Sequence, residues 1–229
     1  MRKLFLFVII VFITIIAIYT GIGYNMYKNA IEETPIDERI AEIKAKDNYT
    51  KFEELPKVYI NAVIAVEDHR FYKHNGVDII GIARAIYNDI KAWELKEGGS
   101  TITGQLAKNI YFTQDRSLTR KIAETFMALK IEKECSKEQI FELYVNTSYF
   151  GDGYYSIGEA SQGYFNKKPI DMSAYESTLL AGVPNAPSVY APTQNLDLAL
   201  QRQKQVINRM VECGFLSDKE AKEIKSSKS

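Results

Sequence analysis

Between Leu4 and Tyr27 the sequence carries no charged residue, and most of its side chains are Leu, Phe, Val or Ile. A bilayer core takes about 20 such residues in a helix, so this run predicts a transmembrane anchor over residues 1–27. Arg2 and Lys3 precede it, which keeps the amino terminus inside and exports the rest of the chain. A cleaved signal peptide is the competing reading. Its apolar region would be shorter, and the one small-x-small site, Gly21-Ile-Gly23, is weak. The expectation is an uncleaved, single-pass anchor in the cell membrane, with the soluble part on the outer face.

The 229 residues then leave roughly 200 outside the span, enough for one domain with a sizeable core. The 29 basic and 29 acidic residues cancel, so nothing points to a nucleic-acid partner, which usually needs a basic surplus. Cys135 and Cys213 form no CxxC pair, and His69 and His74 form no HExxH, so no metal site is expected from cysteine or histidine. The two thiols read as buried or idle, although one disulfide is possible outside the cell.

Residues 28–55 are mixed and charged and are punctuated by Pro35. They read as a membrane-proximal linker with a short helix around Glu38 to Lys46. From there the pattern is helical. Val58–Val66, Ile79–Trp93, Thr101–Tyr111, Leu118–Glu134, Lys137–Tyr144, Ser173–Ala181 and Asp197–Cys213 all show helical spacing. Ser136 has the chemistry of an N-cap, and Gly214 that of a C-terminal stop. Alternating strand patterns are scarce, so the domain, residues 56–216, should be mostly α. Residues 217–229 read as a carboxy-terminal tail.

Three segments carry chemistry. Glu67 and Asp68 end an apolar helix. The negative end of the helix dipole and apolar surroundings both raise the pKa of a carboxyl there, which suits a general base. A solvated helix end with Glu67 paired to Arg70 is equally compatible with these residues. In Gly98–Asn109 two glycines lead into a helix that Ser100 is expected to cap, and a helix start suits an anion such as phosphate. The alternative is an ordinary capped helix. In Arg116–Glu134, Ile122, Phe126 and Leu129 share one helical face, while Glu124 lies opposite among Met127, Ala128 and Ile131. A helix apolar on both sides is buried, and a buried acid needs partners. Arg120 and Lys121 can supply them, either as a structural ion pair or, with Arg116, as a cationic group for a diphosphate.

Together these segments resemble the glycosyltransferase 51 family, the peptidoglycan glycosyltransferases that also form the amino-terminal half of class A penicillin-binding proteins. Glu67, Asp68, Phe71, His74 and Gly76 match its first motif. Gly98, Ser100, Thr101, Ile102, Thr103, Gln105, Leu106, Lys108 and Asn109 match the second. Arg120, Lys121 and Glu124 match the third, and Lys137, Ile140, Glu142, Tyr144 and Asn146 a fourth. The runs YFGDGYYSIGEASQGYF and AGVPNAPSVYAP are also similar, and the resemblance covers about residues 56 to 212. One departure is Gly104, where the family usually has Gln.

The resemblance implies a lysozyme-like, two-lobed α domain that polymerises lipid II into β-1,4 glycan strands and releases undecaprenyl diphosphate by inversion. It implies Glu67 and Glu124 as catalytic residues. It implies substrate contacts from Asp68, Phe71, His74, Ser100, Thr101, Thr103, Gln105, Lys108, Asn109, Arg116, Arg120 and Lys121. A divalent cation, Mg or Mn, at the diphosphate is the one cofactor it leaves room for; no nucleotide cofactor is needed. The implied partners are lipid II, the growing lipid-linked strand, the membrane and penicillin-binding proteins of a wall-synthesis complex. Inhibitors of the moenomycin type are expected to bind. Ile86, Tyr87, Ile90 and Trp93 are expected either to dip into the lipid interface or to face the core. With no S-x-x-K or K-T-G, the chain reads as monofunctional. A glycan-cleaving lysozyme-like enzyme and a non-catalytic scaffold are the competing readings. The ordered motifs oppose the first, and the retained Glu67, Lys108 and Glu124 oppose the second.

Overall fold

The apolar run forms the front of one long helix, α1 (Arg2–Glu33). No breaker follows Tyr27 until Pro35, so the helix runs on into the segment read as a linker. At 1.5 Å per residue it is about 48 Å long, more than a bilayer core needs. Its most apolar 18-residue window has a mean hydropathy of 2.8, and it is the one helix among the described residues long and apolar enough to cross a membrane. A computed structural model describes residues 1–92, 99–113 and 117–227, without the side chains of Ile86 and residues 88–92. Trp93, Gly98, Arg116 and the side chains of Ile86 and Ile90 therefore lie outside the described residues.

The last turns of α1 are docked on protein. Gly23 is buried, and a β-carbon there would stand 2.6–2.8 Å from Ile122 and the Thr119 carbonyl. Tyr24 and Tyr27 set their rings 5.2 and 6.0 Å from Phe126. Tyr27, Ala30 and Ile31 follow at helical spacing and pack on the core. Only glycine allows an approach this close, which gives Gly23 a packing role.

Pro35 opens α2 (Ile36–Lys44), whose Ile36 and Ile43 enter the core. The supposed linker is thus packed structure, because its few apolar residues share one face. Then come α3 (Lys57–Glu67), α4 (Ile79–Ala92), α5 (Ile102–Tyr111), α6 (Leu118–Glu134) and α7 (Lys137–Val145). Next are α8 (Ile157–Phe165), α9 (Ala174–Gly182), the single turn α10 (Pro187–Tyr190), α11 (Leu196–Glu212) and α12 (Asp218–Ser226). No strand occurs among the described residues; one isolated bridge joins Asn75 and Val77. Two packing groups position the site. In one, α3 lies against α9 and α11; in the other, α5 lies against α6 and α7. The α6 helix is covered on both sides as its pattern requires. Ala123, Glu124, Met127, Ala128 and Ile131 face the core, and α1 covers Ile122 and Phe126.

Three helices are new relative to the sequence reading: α8, the single turn α10 and α12. The sequence reading assigns no element to the residues of α8, where Gly163 is required because a side chain there would enter the Tyr154 ring. The carboxy-terminal tail contains α12, capped by Ser217 and Glu220, with Ala221 and Ile224 packed beside Ile207. Its two core contacts are too few to show as periodicity. Cys135 and Cys213 are both free.

Candidate active site

Glu67 is the last residue of α3. Its Oε2 accepts a hydrogen bond from Gln105 Nε2 at 2.7 Å, while Oε1 is buried with no partner. Gln105 in turn accepts from the Tyr144 hydroxyl at 3.4 Å, a long contact. Burial pushes the Glu67 carboxyl above its ordinary value; neighbouring Asp68 adds to this, and Gln105, Arg202 and Lys108 oppose it. Arg70 is not its partner, since it pairs with Asp78 at 3.1 Å. The alternative of a Glu67–Arg70 pair at a solvated helix end is therefore set aside.

Asp68, the next residue, has another role. It caps α3, is buried, and receives His74 Nε2 at 2.9–3.0 Å and the Ile102 N–H at 3.1 Å. The Ile102 amide opens α5, so Asp68 ties the first motif to the positive end of the helix carrying the second. Thr101, and not Ser100, caps α5. Its hydroxyl accepts from the Gly104 N–H at 3.0 Å and donates to the Gly76 carbonyl at 2.7 Å.

Several residues expected at the substrate are interior. Phe71 is fully buried with the Lys137 ammonium 4.4 Å from its ring centroid. Thr103 is fully buried and donates to Glu132 at 2.6 Å, which also takes Lys137 at 2.7 Å. In the fourth motif, Asn146 clamps the Thr50 backbone through two hydrogen bonds of 2.7–2.8 Å. Glu142 accepts from Tyr49 and from the Phe52 N–H. These motif positions hold the frame and do not line the cleft.

The cationic side is built on α5 and α6. Glu124 is buried, with Arg120 Nη1 at 3.2 Å and Lys121 Nζ at 3.4 Å. Lys121 also donates to Ser100 at 2.8 Å, joining α6 to the loop before α5. Lys108 is half-buried in the field of both Glu124 and Glu67. Burial lowers its pKa, with Glu124 opposing the shift. Glu67, Asp68, His69, Asp78, Ser100 and Thr101 line a cleft beside this group. Asn109 faces elsewhere, into a separate cavity with Arg39 and Tyr155. Arg116 lies outside the described residues.

The sequence reading missed Arg202 of α11. Its charge acts on Glu67, and its buried Nε has no partner. The guanidinium lies 5.9 Å from the Tyr190 ring, at the end of the AGVPNAPSVYAP run. An arginine in an amphipathic helix reads as a solvated face, and only the packing of α11 on α3 shows otherwise.

Residues 34–211 match the family model described as Transglycosylase. The chain belongs to the transglycosylase family. The match begins at α2 and so includes the segment read as a linker. This transglycosylase is 46% identical over 169 residues to penicillin-binding protein 1A of Neisseria flavescens, covering 74% of this chain and 21% of that protein. It is 45% identical over 168 residues to penicillin-binding protein 1F of Bacillus subtilis, covering 73% and 24%. The chain thus spans between a fifth and a quarter of the length of these relatives. A crystal structure of penicillin-binding protein 1A from Haemophilus influenzae aligns with a TM-score of 0.39 at 25% identity, over 56% of this chain and 16% of that one.

Proposed function

We propose that this transglycosylase is a peptidoglycan glycosyltransferase that polymerises lipid II into β-1,4 glycan strands at the outer face of the membrane. The observation that carries the reading is the state of Glu67, a buried carboxylate with one neutral amide partner and one free oxygen. The acceptor's GlcNAc 4-hydroxyl donates to Oε1, and Glu67 takes its proton as the oxygen attacks C1 of the donor. Undecaprenyl diphosphate leaves from the opposite face, which converts an α-linked donor into a β-1,4 bond. Lys108, Arg120 and Lys121 supply positive charge for the departing diphosphate. Preorganised charge of this kind is a large part of the rate advantage in such sites. Arg2 and Lys3 support the orientation by remaining on the inner side of α1.

The chain's residues do not fit a resident Mg or Mn. Glu124 is surrounded by Lys108, Arg120 and Lys121, a donor set that repels a cation. Among the described residues no three His, Cys, Asp or Glu side chains group as metal ligands. No step is assigned to a metal.

The test is incubation of the detergent-solubilised protein with labelled lipid II, with glycan polymer as readout. Polymer that disappears with a moenomycin-type inhibitor is the expected result. Folded protein that yields none across several detergents contradicts the reading.

A further inference from the structure

Asn109 follows Lys108 in the second motif, yet it lines a different cavity of about 310 Å³. The cavity lies between α2, the end of α5, the end of α7 and the loop before α8. Asn109 stands one helical turn beyond Gln105, the partner of Glu67, or about 5–6 Å along α5. The cavity shares no lining residue with the cleft beside Glu67.

Its lining is mixed. Ile43 and Ile110 give an apolar floor, and the Asn109 amide and the Thr147 hydroxyl are polar and neutral. Tyr155 is more than half exposed and lies against the Tyr149 ring, with centroids 4.7 Å apart. Two cations and one carboxylate line it, Arg39, Lys46 and Glu42, which leaves one positive charge. Arg39 is already committed, since it pairs with Glu42 at 2.7 Å and donates to Thr34 at 3.1 Å. Among the described residues no carboxylate pairs with Lys46. One unspent ammonium suits a single carboxylate. A diphosphate carries more charge than this lining can balance, and the apolar floor and the Tyr155 ring suit methyl groups and amide planes.

We propose that this cavity is a subsite for the peptide part of the substrate, in which Lys46 receives a carboxylate of the stem and Asn109 and Tyr155 hold its backbone. The proposal rests on the glycosyltransferase reading for the identity of the ligand. It is tested by binding, which needs no turnover, so its failure is distinguishable from a failure of that reading.

The probes are a soluble N-acetylmuramyl pentapeptide, the same compound with every carboxylate amidated, and inorganic diphosphate. Each is titrated into the full chain in detergent and followed by calorimetry. The acidic peptide is expected to bind roughly tenfold more tightly than the amide, the loss expected when a charge-assisted hydrogen bond is removed. Lys46→Gln should abolish the difference with an unchanged melting temperature, since Lys46 is exposed. Diphosphate should not compete. Equal binding of the two peptides, absence of binding, or a difference that survives Lys46→Gln overturns the proposal. Competition by diphosphate that Lys46→Gln removes also overturns it, by assigning the cavity to a phosphate.

Discussion

Glu67 and Glu124 both act on Lys108, but from opposite environments. At the end of α3, Glu67 is held by one neutral amide, and no cation forms an ion pair with it among the described residues. At the start of α6, Glu124 is the more deeply buried of the two and has Arg120 and Lys121 within 3.4 Å. Burial with no directly paired cation favours the protonated form, even though Arg202 and Lys108 oppose it from a distance, and leaves a carboxylate ready to take a proton. Burial beside Arg120 and Lys121 makes Glu124 an ion-pair partner that orders those cations. The difference divides the labour in the proposed reaction: proton removal on the α3 side, leaving-group charge on the α6 side.

The largest expected effect comes from Glu67→Gln, which keeps the shape and the Gln105 contact but removes the base. Turnover measured with labelled lipid II should fall by roughly 10²–10⁴-fold, while donor affinity stays near that of the native protein. The same change should raise the melting temperature at neutral pH. A carboxyl with a raised pKa destabilises the folded state progressively as pH climbs through that pKa, and the amide does not.

Glu124→Gln should behave differently. It leaves Arg120 and Lys121 without their anion, and loss of one partner of a buried pair costs about 3–5 kcal/mol. The melting temperature should drop, and donor affinity should change together with rate. Loss of rate alone, with unaltered donor affinity and stability, would break the distinction between the two acids.

Gly23→Leu probes the same division from the membrane. The side chain would collide with Ile122 and Thr119 of α6, an overpacking cost of roughly 1–3 kcal/mol. Because α6 carries Glu124, donor KM should rise while the pH dependence set by Glu67 stays in place.

Much of this arrangement was legible in the sequence. The apolar run, the long α6 with its two apolar faces, and the Ser136 cap, seen here with its Gln139 return bond, follow from local rules. So does the upward shift of Glu67, although the principal cause is burial. What was not legible depends on close tertiary approach. The role of Gly163 shows only when Tyr154 is seen against it. Phe71 and Thr103 are motif residues, but motif membership does not distinguish a substrate contact from a frame contact. The pairing of Arg70 with Asp78, and the reach of Arg202 to Glu67, join segments that no local pattern connects.

The smallest effect is expected at Gly104, on the same helical face as Lys108 and one turn before it. It lies in the first turn of α5 with its N–H on Thr101, and an added β-carbon would meet that hydroxyl at 3.2 Å. Gly104→Gln should therefore gain less than the ~1 kcal/mol of a helix-interior glycine replacement. Thermal melts and donor KM, measured together, separate a structural gain from a new substrate contact.

The central claim is that Glu67 is the base, and the pH dependence of kcat/KM tests it most directly. As pH falls through its raised pKa, Glu67 takes up a proton and can no longer accept one from the acceptor hydroxyl. The native protein should therefore show an acidic limb whose midpoint lies above the ~4.3 of free glutamate. The residual activity of Glu67→Gln should lack that limb. An identical limb in both proteins would contradict the account, because the titrating group would then be a residue other than Glu67.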